Sequence, residues 1–402
     1  MRLKEICDYI SRGTTPGYVD ESPYKVMNQA TFSKGRLDED NIRYTSKNVR
    51  EAQIKKGDLL MASTGGGVLG KVFFFDSDDT SFYADSHVSI LRNSKGKNLM
   101  KYLYYVFSIK YDEINATMVK GSTNQTELQR NYLLAYEMDI PSLSKQQRIV
   151  DYLDAELGKI DARIAVLEKE QDAYARLKKS VIHHAVTRGL NPNVSLKDSG
   201  VKWIGLIPEH WELQRFKSIF TECKSVTETG QEDLLSVSEY YGVARRIDKM
   251  EDGEYESRAD SLVGYKVCKK DDLVINIMLA WKRGLGFSDF DGIVSPAYAV
   301  YRGKNIAPHY FHYLMRTDMY VAEYKRNSKG IIDSRLRMYT DRFNNIMAIV
   351  PPLSEQQAIT AYLDEKCSKI DAATENIGKQ IDALKRLKRA LINEVVTGQR
   401  AV

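Results

Sequence analysis

The sequence predicts an α+β protein: two similar α/β domains separated by two long antiparallel helices that form a coiled coil, with approximate two-fold symmetry. A repeat is the main observation behind this prediction. Residues 141–187 and 351–397 align without a gap at a shift of 210 positions and are identical at 22 of 47 positions. Both segments have the hydrophobic spacing of a helix, whereas the segments beside them mix short β-type runs with amphipathic stretches. The predicted order is therefore domain, helix, domain, helix.

Composition sets limits on the class of protein. The 402 residues suffice for two or three domains with full hydrophobic cores. The net charge of +5 is too small for binding polyanions by bulk charge, although it is compatible with a local basic face. The four cysteines form no CxxC pair, so we expect neither a zinc ribbon nor a disulfide framework. Apolar runs are short, which predicts a cytosolic protein without membrane spans.

The first domain is predicted over residues 1–140. Residues 56–60 (KGDLL) resemble residues 270–274 (KDDLV) of the later globular segment, and a glycine-rich turn follows each of them. Residues 65–71 match the GxxxxGK pattern of phosphate-binding loops. Such a loop needs Ser or Thr next and then a helix, but Val72 follows and begins an aromatic, strand-like run. A tight turn between two strands is therefore the favoured interpretation.

The first long helix is predicted within a spacer segment, residues 141–190. We expect Ser144 to cap its start, with Gln147 completing a capping box, and Gly189 to follow its end. Apolar residues three and four positions apart predict a narrow stripe for pairing with the second helix. The alternative is that each helix lies on the core of its own domain. The predicted pairing residues are Leu153, Leu157, Ile160, Ile164, Leu167, Leu177, Leu363, Ile370, Ile377, Ile381, Leu384 and Leu391.

The rest of the chain is predicted to contain a linker, a second domain and a second helical spacer. Residues 191–206 contain an Asn-Pro-Asn run and a glycine and are predicted to be a linker. The second domain is predicted over residues 207–350. A second helical spacer is expected over residues 351–402, with Ser354 and Gln357 as its capping box. The basic run at residues 385–389 suits the negative end of the helix dipole, and a surface for a partner or DNA is the alternative.

The sequence lacks the patterns of a catalytic or metal-binding chain. His183 and His184 are adjacent and point to different helix faces, so they do not form a metal pair. No HExxH, GxSxG or clustered Cys/His pattern is present, and no loop for an adenosyl cofactor is found. We therefore predict no catalytic residue and no metal ligand on this chain. Two similar domains on a stiff spacer instead suit the reading of two DNA half-sites, which differ if the domains differ.

Two copies of one motif then carry a resemblance to a known family. Residues 140–149 read IPSLSKQQRI and residues 350–359 read VPPLSEQQAI. With the WIGLIPEHW segment at 203–211, they make essentially the whole chain resemble the DNA-specificity subunits of type I restriction-modification systems. This resemblance implies two target-recognition domains, each binding one half of a bipartite, non-palindromic target. It also implies helices that set the spacing and dock two methyltransferase subunits, with a restriction/translocase subunit joining them, in a prokaryotic cytoplasm.

The resemblance further implies that the chemistry belongs to partners. S-adenosylmethionine, ATP and Mg²⁺ are expected on those subunits and no cofactor on this chain. Base reading needs Arg, Asn or Gln, and phosphate anchoring needs Lys, Arg or hydroxyl groups in loops. For each residue a solvated loop is the alternative. The predicted DNA-binding residues are Arg12, Thr14, Thr64, Lys120, Ser122, Asn124, Gln125, Arg245, Arg246, Lys282, Arg283, Lys325, Arg326, Asn327 and Lys329.

Two other hypotheses stay open at this point. One is a coiled-coil scaffold that binds only proteins. The other is a stand-alone nuclease or NTPase that uses Lys71. Turnover of DNA or ATP by the chain alone would favour the enzyme, and failure to shift DNA with its methyltransferase partner would favour the scaffold.

Overall fold

The chain folds into two compact units. The structure is a computed structural model that describes residues 1–46, 50–94, 96, 99–120, 126–249, 261–332 and 335–402. The first unit comprises Met1–Glu168 and Gly378–Val402, and the second comprises Lys169–Ile377. Each unit thus joins one globular segment to part of both long helices. In the described residues, no helix is both long and apolar enough to cross a bilayer.

The first unit is built on a four-stranded antiparallel sheet. The sheet has the order β1-β8-β5-β6, and a second sheet has the order β2-β4-β3-β7. The strands are β1 (Tyr9–Arg12), β2 (Tyr18–Val19), β3 (Tyr24–Met27), β4 (Arg43–Thr45), β5 (Asp58–Ala62), β6 (Val72–Phe75), β7 (Phe82–Ala84), β8 (Val88–Arg92), β9 (Val119–Lys120) and β10 (Glu127–Leu128). The helices are α1 (Leu3–Ile6), α2 (Met100–Ser108), α3 (Tyr111–Thr117), α4 (Arg130–Ala135) and the shared α5 (Leu143–Arg188).

The second unit repeats this plan. Its four-stranded antiparallel sheet has the order β14-β21-β18-β19. The strands are β11 (Leu196–Asp198), β12 (Leu206–Pro208), β13 (Glu212–Arg215), β14 (Phe220–Cys223), β15 (Leu235–Ser238), β16 (Gly242–Arg245), β17 (Lys266–Cys268), β18 (Asp272–Asn276), β19 (Leu285–Phe287), β20 (Gly292–Val294), β21 (Tyr298–Gly303) and β22 (Met347–Val350). The helices are α6 (Phe216–Ile219), α7 (Pro308–Met315), α8 (Asp318–Asn327), α9 (Thr340–Phe343) and the shared α10 (Leu353–Val396).

A buried aspartate pairs with an arginine at the same place in both sheets. The central strands β5 and β18 are buried along their whole length and each begins with an aspartate. Asp58 accepts two hydrogen bonds from Arg92 at 2.6 Å, and Asp272 accepts two from Arg302 at 2.9 Å. Each carboxylate is almost fully buried, so the bidentate guanidinium supplies the partner that a buried charge requires. The weak KGDLL/KDDLV resemblance therefore marks a shared structural feature.

The repeated glutamine pair also has a structural explanation. Gln146 is buried at the start of α5, where its Oε1 accepts from the backbone N–H of Leu99 at 2.8 Å and its Nε2 donates to the carbonyl of Pro141 at 2.9 Å. In the second unit Gln356 makes the same two bonds, to the N–H of Ala307 at 2.9 Å and to the carbonyl of Pro351 at 2.8 Å. Each glutamine thus ties the start of a long helix to the start of α2 or α7.

The predicted capping boxes are wrong. Helix α5 begins at Leu143 and helix α10 at Leu353. Ser144 and Ser354 therefore lie inside the first turn of their helices rather than before it. At the first helix, Ser142 accepts from the N–H of Lys145 at 3.4 Å. The exposed Gln147 bonds to Asp151 instead of the helix start. The first of the two glutamines is the structural one in each motif, because it alone faces the globular segment.

The two long helices pair antiparallel within each unit. In the second unit, Gln171 of α5 donates to the carbonyl of Thr374 in α10, and Lys178 contacts Asp371 at 2.6 Å. In the first unit, Lys388 contacts Asp161 at 2.7 Å. The two ion pairs involve repeat-equivalent residues, since 161 and 371, and likewise 178 and 388, differ by 210. These contacts confirm the predicted packing of the helices.

Burial along the helices follows the predicted stripe with one correction. Leu153, Leu157, Leu167, Leu363, Ile370, Ile377, Ile381 and Leu391 are buried, and Ile160, Ile164 and Leu384 are partly buried. Leu177 is 47% exposed and does not lie in the buried stripe. Val181 and Ile182 pack against the core of the second unit, with Ala185 and Val186 buried in it. The helices therefore both pair with each other and cover the cores of their units.

The predicted linker carries structure of its own. Strands β11 and β12 pair antiparallel within residues 191–208, and Ile204, Ile207 and Trp211 are buried in the core of the second unit. The Trp211 indole donates to Glu355 at 3.0 Å. The five segments predicted from the sequence are defined by the repeat. The two compact units are defined by which residues pack together in space, so each unit contains parts of several segments.

Candidate nucleic-acid interface

In the first unit, two predicted DNA-binding segments meet at the end of β5. The backbone carbonyl of Ser63, just after β5, accepts a hydrogen bond from the N–H of Leu128 at 2.9 Å. The next residue, Thr64, forms an isolated β-bridge with Glu127. Glu127 also pairs with Lys120 in the β9–β10 hairpin. The glycine-rich turn and this hairpin therefore lie side by side. Predicted residues Ser122, Asn124 and Gln125 fall between β9 and β10, outside the described residues.

Arg12 and Thr14 lie at the same place. The guanidinium of Arg12 contacts the carboxylate of Glu127 and donates to the carbonyl of Ser63 at 3.1 Å. Thr14 forms a bridge with Asp85 at the start of the turn before β8. Residues that are far apart in the sequence thus form one polar patch. The guanidinium of Arg12 is thus already paired with a carboxylate of the protein.

The same patch contains residues that sequence reasoning missed. His87 and Thr64 are joined by a 2.6 Å hydrogen bond between Nδ1 and Oγ1, and Tyr18 donates to Asp85 at 3.3 Å. Burial raises the pKa of Asp85, and its hydrogen bond from the backbone of His87 opposes this rise. Residues 85–87 lie in the connection from β7 to β8, as residues 295–297 lie in the connection from β20 to β21 of the second unit.

In the second unit, the loop that follows the central strand β18 also contacts a hairpin. The N–H of Met338 donates to the carbonyl of Ile277 after β18, at 2.8 Å. Lys329 and Arg337 form a bridge in the same position as Lys120 and Glu127. Lys120 and Lys329, each followed by a glycine in the sequence, therefore occupy equivalent backbone positions.

Lys282 and Lys325 converge on one tryptophan in this unit. The ammonium groups lie 5.1 and 5.3 Å from the ring centroid of Trp281, within the range of a cation–π interaction. The indole donates to the carbonyl of Met278 at 3.0 Å, which fixes the ring. Trp281 lies in a short 3₁₀ helix (Ala280–Lys282) against α8. Two predicted residues are thus brought together at one ring, and a third, Lys329, is exposed just beyond the end of α8.

Other predicted residues in this unit are engaged within the protein. Arg283 donates to the carbonyl of Arg316 at 3.0 Å and contacts Asp318. Arg326 pairs with Glu323 at 2.6 Å, and Asn327 donates to the same glutamate at 2.7 Å. These contacts hold the 3₁₀ turn and the end of α8.

Arg245 and Arg246 lie elsewhere, on the β15–β16 pair. Arg245 contacts Asp233 at 3.3 Å and lies over the ring of Phe290 at 4.6 Å. The backbone N–H of Arg246 donates to Leu234.

The glycine-rich segment is a turn and not a phosphate-binding loop. Gly65, Gly67 and Gly70 have positive φ angles, and the chain then enters strand β6 rather than a helix. Lys71 donates to the carbonyl of Ser33 at 3.0 Å. At Gly70 a Cβ atom would lie 2.9 Å from the side chain of Ile114 in α3, so glycine permits the close packing of the turn on this helix.

Comparison with known proteins gives two findings. Residues 1–169 match the family model described as the type I restriction modification DNA specificity domain. The fold is similar to a chain in a structure reported as the structural basis of complex assembly and conformational transition of the type I R-M system, with a TM-score of 0.70 at 14% identity, covering 98% of this chain and 96% of that chain. It is also similar to the HsdS subunit from Thermoanaerobacter tengcongensis, with a TM-score of 0.50 at 15% identity, covering 100% and 96% of the two chains.

Proposed function

We propose, on the premise that this chain is a DNA specificity subunit of the type I restriction-modification family, that each unit binds one half of a bipartite, non-palindromic DNA target. The globular segment of each unit acts as a target-recognition domain. The helices α5 and α10 set the spacing between the half-sites. The expected site of action is the prokaryotic cytoplasm, where the chromosome is accessible.

One observation carries this proposal: the same loop-and-hairpin arrangement occurs in both units with different side chains. In the first unit the loop presents Thr64, bonded to His87, whereas in the second it presents Trp281 between two lysines. A shared scaffold supports the same mode of approach to DNA. Different side chains on that scaffold favour different bases, because base edges are discriminated by donor and acceptor pattern. Two unlike half-sites follow.

The chain itself is proposed to carry no catalytic step. Lys71, the residue on which a stand-alone NTPase would depend, is bonded to a backbone carbonyl and followed by a strand. S-adenosylmethionine is therefore assigned to methyltransferase subunits, and ATP and Mg²⁺ to restriction/translocase subunits. This chain contributes binding and positioning of the DNA to that complex.

The docking of two methyltransferase subunits is supported by a repeated cleft. A cleft of about 890 Å³ in the first unit is lined in part by Tyr104, Arg389 and Asn393. A cleft of about 620 Å³ in the second is lined in part by Lys179 and His183. Arg389 and Lys179, and likewise Asn393 and His183, are equivalent at the shift of 210. Two equivalent clefts suit two copies of one partner, and we place one methyltransferase subunit at each.

Methylome sequencing of a host that expresses the chain with its methyltransferase tests the proposal. The expected result is new adenine methylation at a split motif whose two halves differ. Binding of the complex to a duplex carrying that motif, measured against a scrambled duplex, then gives specificity. A complex that assembles but neither methylates nor shifts DNA would instead favour the protein-binding scaffold.

A further inference from the structure

An unusually exposed apolar pair lies at the tip of the hairpin in the second unit. Ile331 is fully exposed and Ile332 is 52% exposed. Among the large apolar side chains of the described residues, Ile331 has the highest exposure. An exposed isoleucine keeps its apolar surface in water, which is less favourable than burying it. A pair of them at one loop tip indicates a surface that is buried on binding.

The base of this hairpin is firmly held. Lys329 and Arg337 exchange two backbone hydrogen bonds of 2.9 Å, and the N–H of Arg335 donates to the carbonyl of Ile332 at 2.9 Å. On the return side, Leu336 and Met338 are buried. The hairpin thus buries the apolar side chains at its base and leaves those at its tip in solvent.

Glycine is required at the point where the tip begins. A Cβ atom on Gly330 would lie 2.7 Å from the carbonyl oxygen of Arg335, which is backbone and does not move aside. Gly330 therefore lets the two sides of the hairpin approach closely just before the isoleucines. The described residues that follow Gly330 are the two exposed isoleucines, Ile331 and Ile332.

The charges around the tip favour DNA over a protein partner. Lys329 and Arg335 are exposed on either side of the isoleucines, and Arg337 is half-buried next to them. Of the two lysines at Trp281, Lys325 lies in the last turn of α8, which leads into the hairpin, and Lys282 lies in the 3₁₀ helix that packs against α8. An apolar tip flanked by cations suits a duplex, since the cations meet phosphates while the tip meets the stacked bases.

We propose that Ile331 and Ile332 form a wedge that inserts between base pairs of the half-site bound by the second unit. This inference rests on the proposed function. Apolar wedges of this kind unstack one base step and bend the duplex. In the first domain the sequence that follows Lys120 is GSTNQ, at residues 121–125 outside the described part of the chain, and it contains no apolar side chain. Only one half-site is therefore unstacked, and the bend is placed to one side of the target.

The test uses the complex of this chain with its methyltransferase subunits and the target duplex from methylome sequencing. 2-Aminopurine replaces one adenine at a time in or beside both half-sites, because its fluorescence rises on unstacking, and DNA bending is measured by energy transfer between end labels. We expect increased fluorescence at one step of the second half-site in addition to any base flipped for methylation. The double variant Ile331→Ser/Ile332→Thr should remove that signal, reduce the bend and weaken binding about tenfold or more.

Two further variants control this experiment. Ile331→Leu/Ile332→Leu keeps the apolar tip and should keep the fluorescence, the bend and the affinity. Leu196→Ser removes an exposed apolar side chain from β11, away from the hairpin, and should change none of them.

The outcomes separate the wedge from the function it rests on. Unchanged unstacking and affinity in the Ser/Thr variant would overturn the wedge while leaving sequence-specific binding intact. Loss of methyltransferase binding by that variant in the absence of DNA would also overturn it, by showing that the tip contacts protein. Failure of the unmodified complex to bind the methylated motif would contradict the proposed function itself.

Discussion

At the scale of single residues, neighbouring side chains of the same type have different roles. Gln146 and Gln147 are adjacent, yet the first is buried with two backbone partners and the second bonds a surface aspartate. The motif repeats the pair at Gln356 and Gln357, and Gln356 is again the buried one. Which glutamine matters depends on the helix face that meets the globular segment.

Replacement of the buried glutamines tests this distinction. Gln146→Leu leaves the N–H of Leu99 and the carbonyl of Pro141 without a partner, and an unsatisfied buried group costs about 1–3 kcal/mol. We expect the free energy of unfolding, measured by urea titration, to fall by that order. Gln147→Leu is the control and should change it by less than about 0.5 kcal/mol. Equal effects of the two variants would contradict the assignment.

His312, in the second unit, makes the stability of the folded protein depend on pH. The ring of His312 packs close to Gly242 and Gly286. Burial, with the neighbouring Arg316 and His309, lowers the pKa of His312 to about 3. Between that value and the unfolded pKa of about 6.5, only the unfolded chain binds the proton, so stability falls as pH decreases through this window.

The His312→Asn variant should therefore lose less stability than the natural protein when pH is lowered from 8 to 5. The expected difference is on the order of 1–2 kcal/mol, measured by urea titration at both pH values. His183→Asn removes an exposed histidine and should retain the full loss. If both variants show the slope of the natural protein, His312 is not the responsible group.

At the scale of elements, the long helices are stabilised by their buried stripe more than by surface charge. Leu157 of α5 is buried with Leu391 and Val395 of α10 in the core of the first unit. The ion pair of Asp161 and Lys388 beside them is largely exposed, and exposed pairs contribute about 0–1 kcal/mol. The stripe therefore decides the pairing.

Two leucines that the sequence treats alike should differ in a mutational test. Leu157→Ala removes a buried side chain and should lower the free energy of unfolding by about 2–5 kcal/mol. Leu177→Ala, at a 47% exposed position, should lower it by less than about 0.5 kcal/mol. Denaturation of both variants by urea provides the comparison. A large loss at Leu177 would show that the residue is buried in solution.

At the scale of the whole molecule, the proposed function needs phosphate contacts as well as base contacts. Lys329 is exposed at the base of the hairpin in the second unit. Lys329→Ala should weaken binding to all sequences and reduce the slope of log K against log salt concentration by about one. Binding of the methyltransferase complex to target and scrambled duplexes at several salt concentrations measures both effects. Loss confined to the target would indicate base reading instead.

The repeated cleft gives a second prediction at this scale. Lys179→Glu and Arg389→Glu each reverse the charge in one cleft, and each should leave one methyltransferase subunit bound instead of two. The mass of the complex by light scattering measures the number. Lys145→Glu reverses an exposed charge at the start of α5 and should keep both subunits. Two bound subunits in both cleft variants would place the docking surface elsewhere.

Much of the fold could be predicted from the sequence because its signals are local or repeated. The stripe from Leu153 to Leu167 has a helical period, and Gly189, with φ of +78°, follows the end of α5 as expected. The shift of 210 identified both helices, and the resemblance of residues 56–60 to residues 270–274 related the two domains. The capping boxes failed because a Ser-x-x-Gln pattern fits either side of the first turn, and only the contact of Gln146 with α2 fixes the register.

The sequence by itself determined a duplicated α+β chain with two paired helices, since periodicity and repetition are properties of the order of residues. Only the tertiary structure decided which distant residues share a site. Arg12 contacts Glu127, and Lys325 reaches Trp281, across 115 and 44 positions of chain. Strand order and loop packing bring such residues together, and no local pattern encodes them. The same packing buried Gln146 and left Ile331 in solvent.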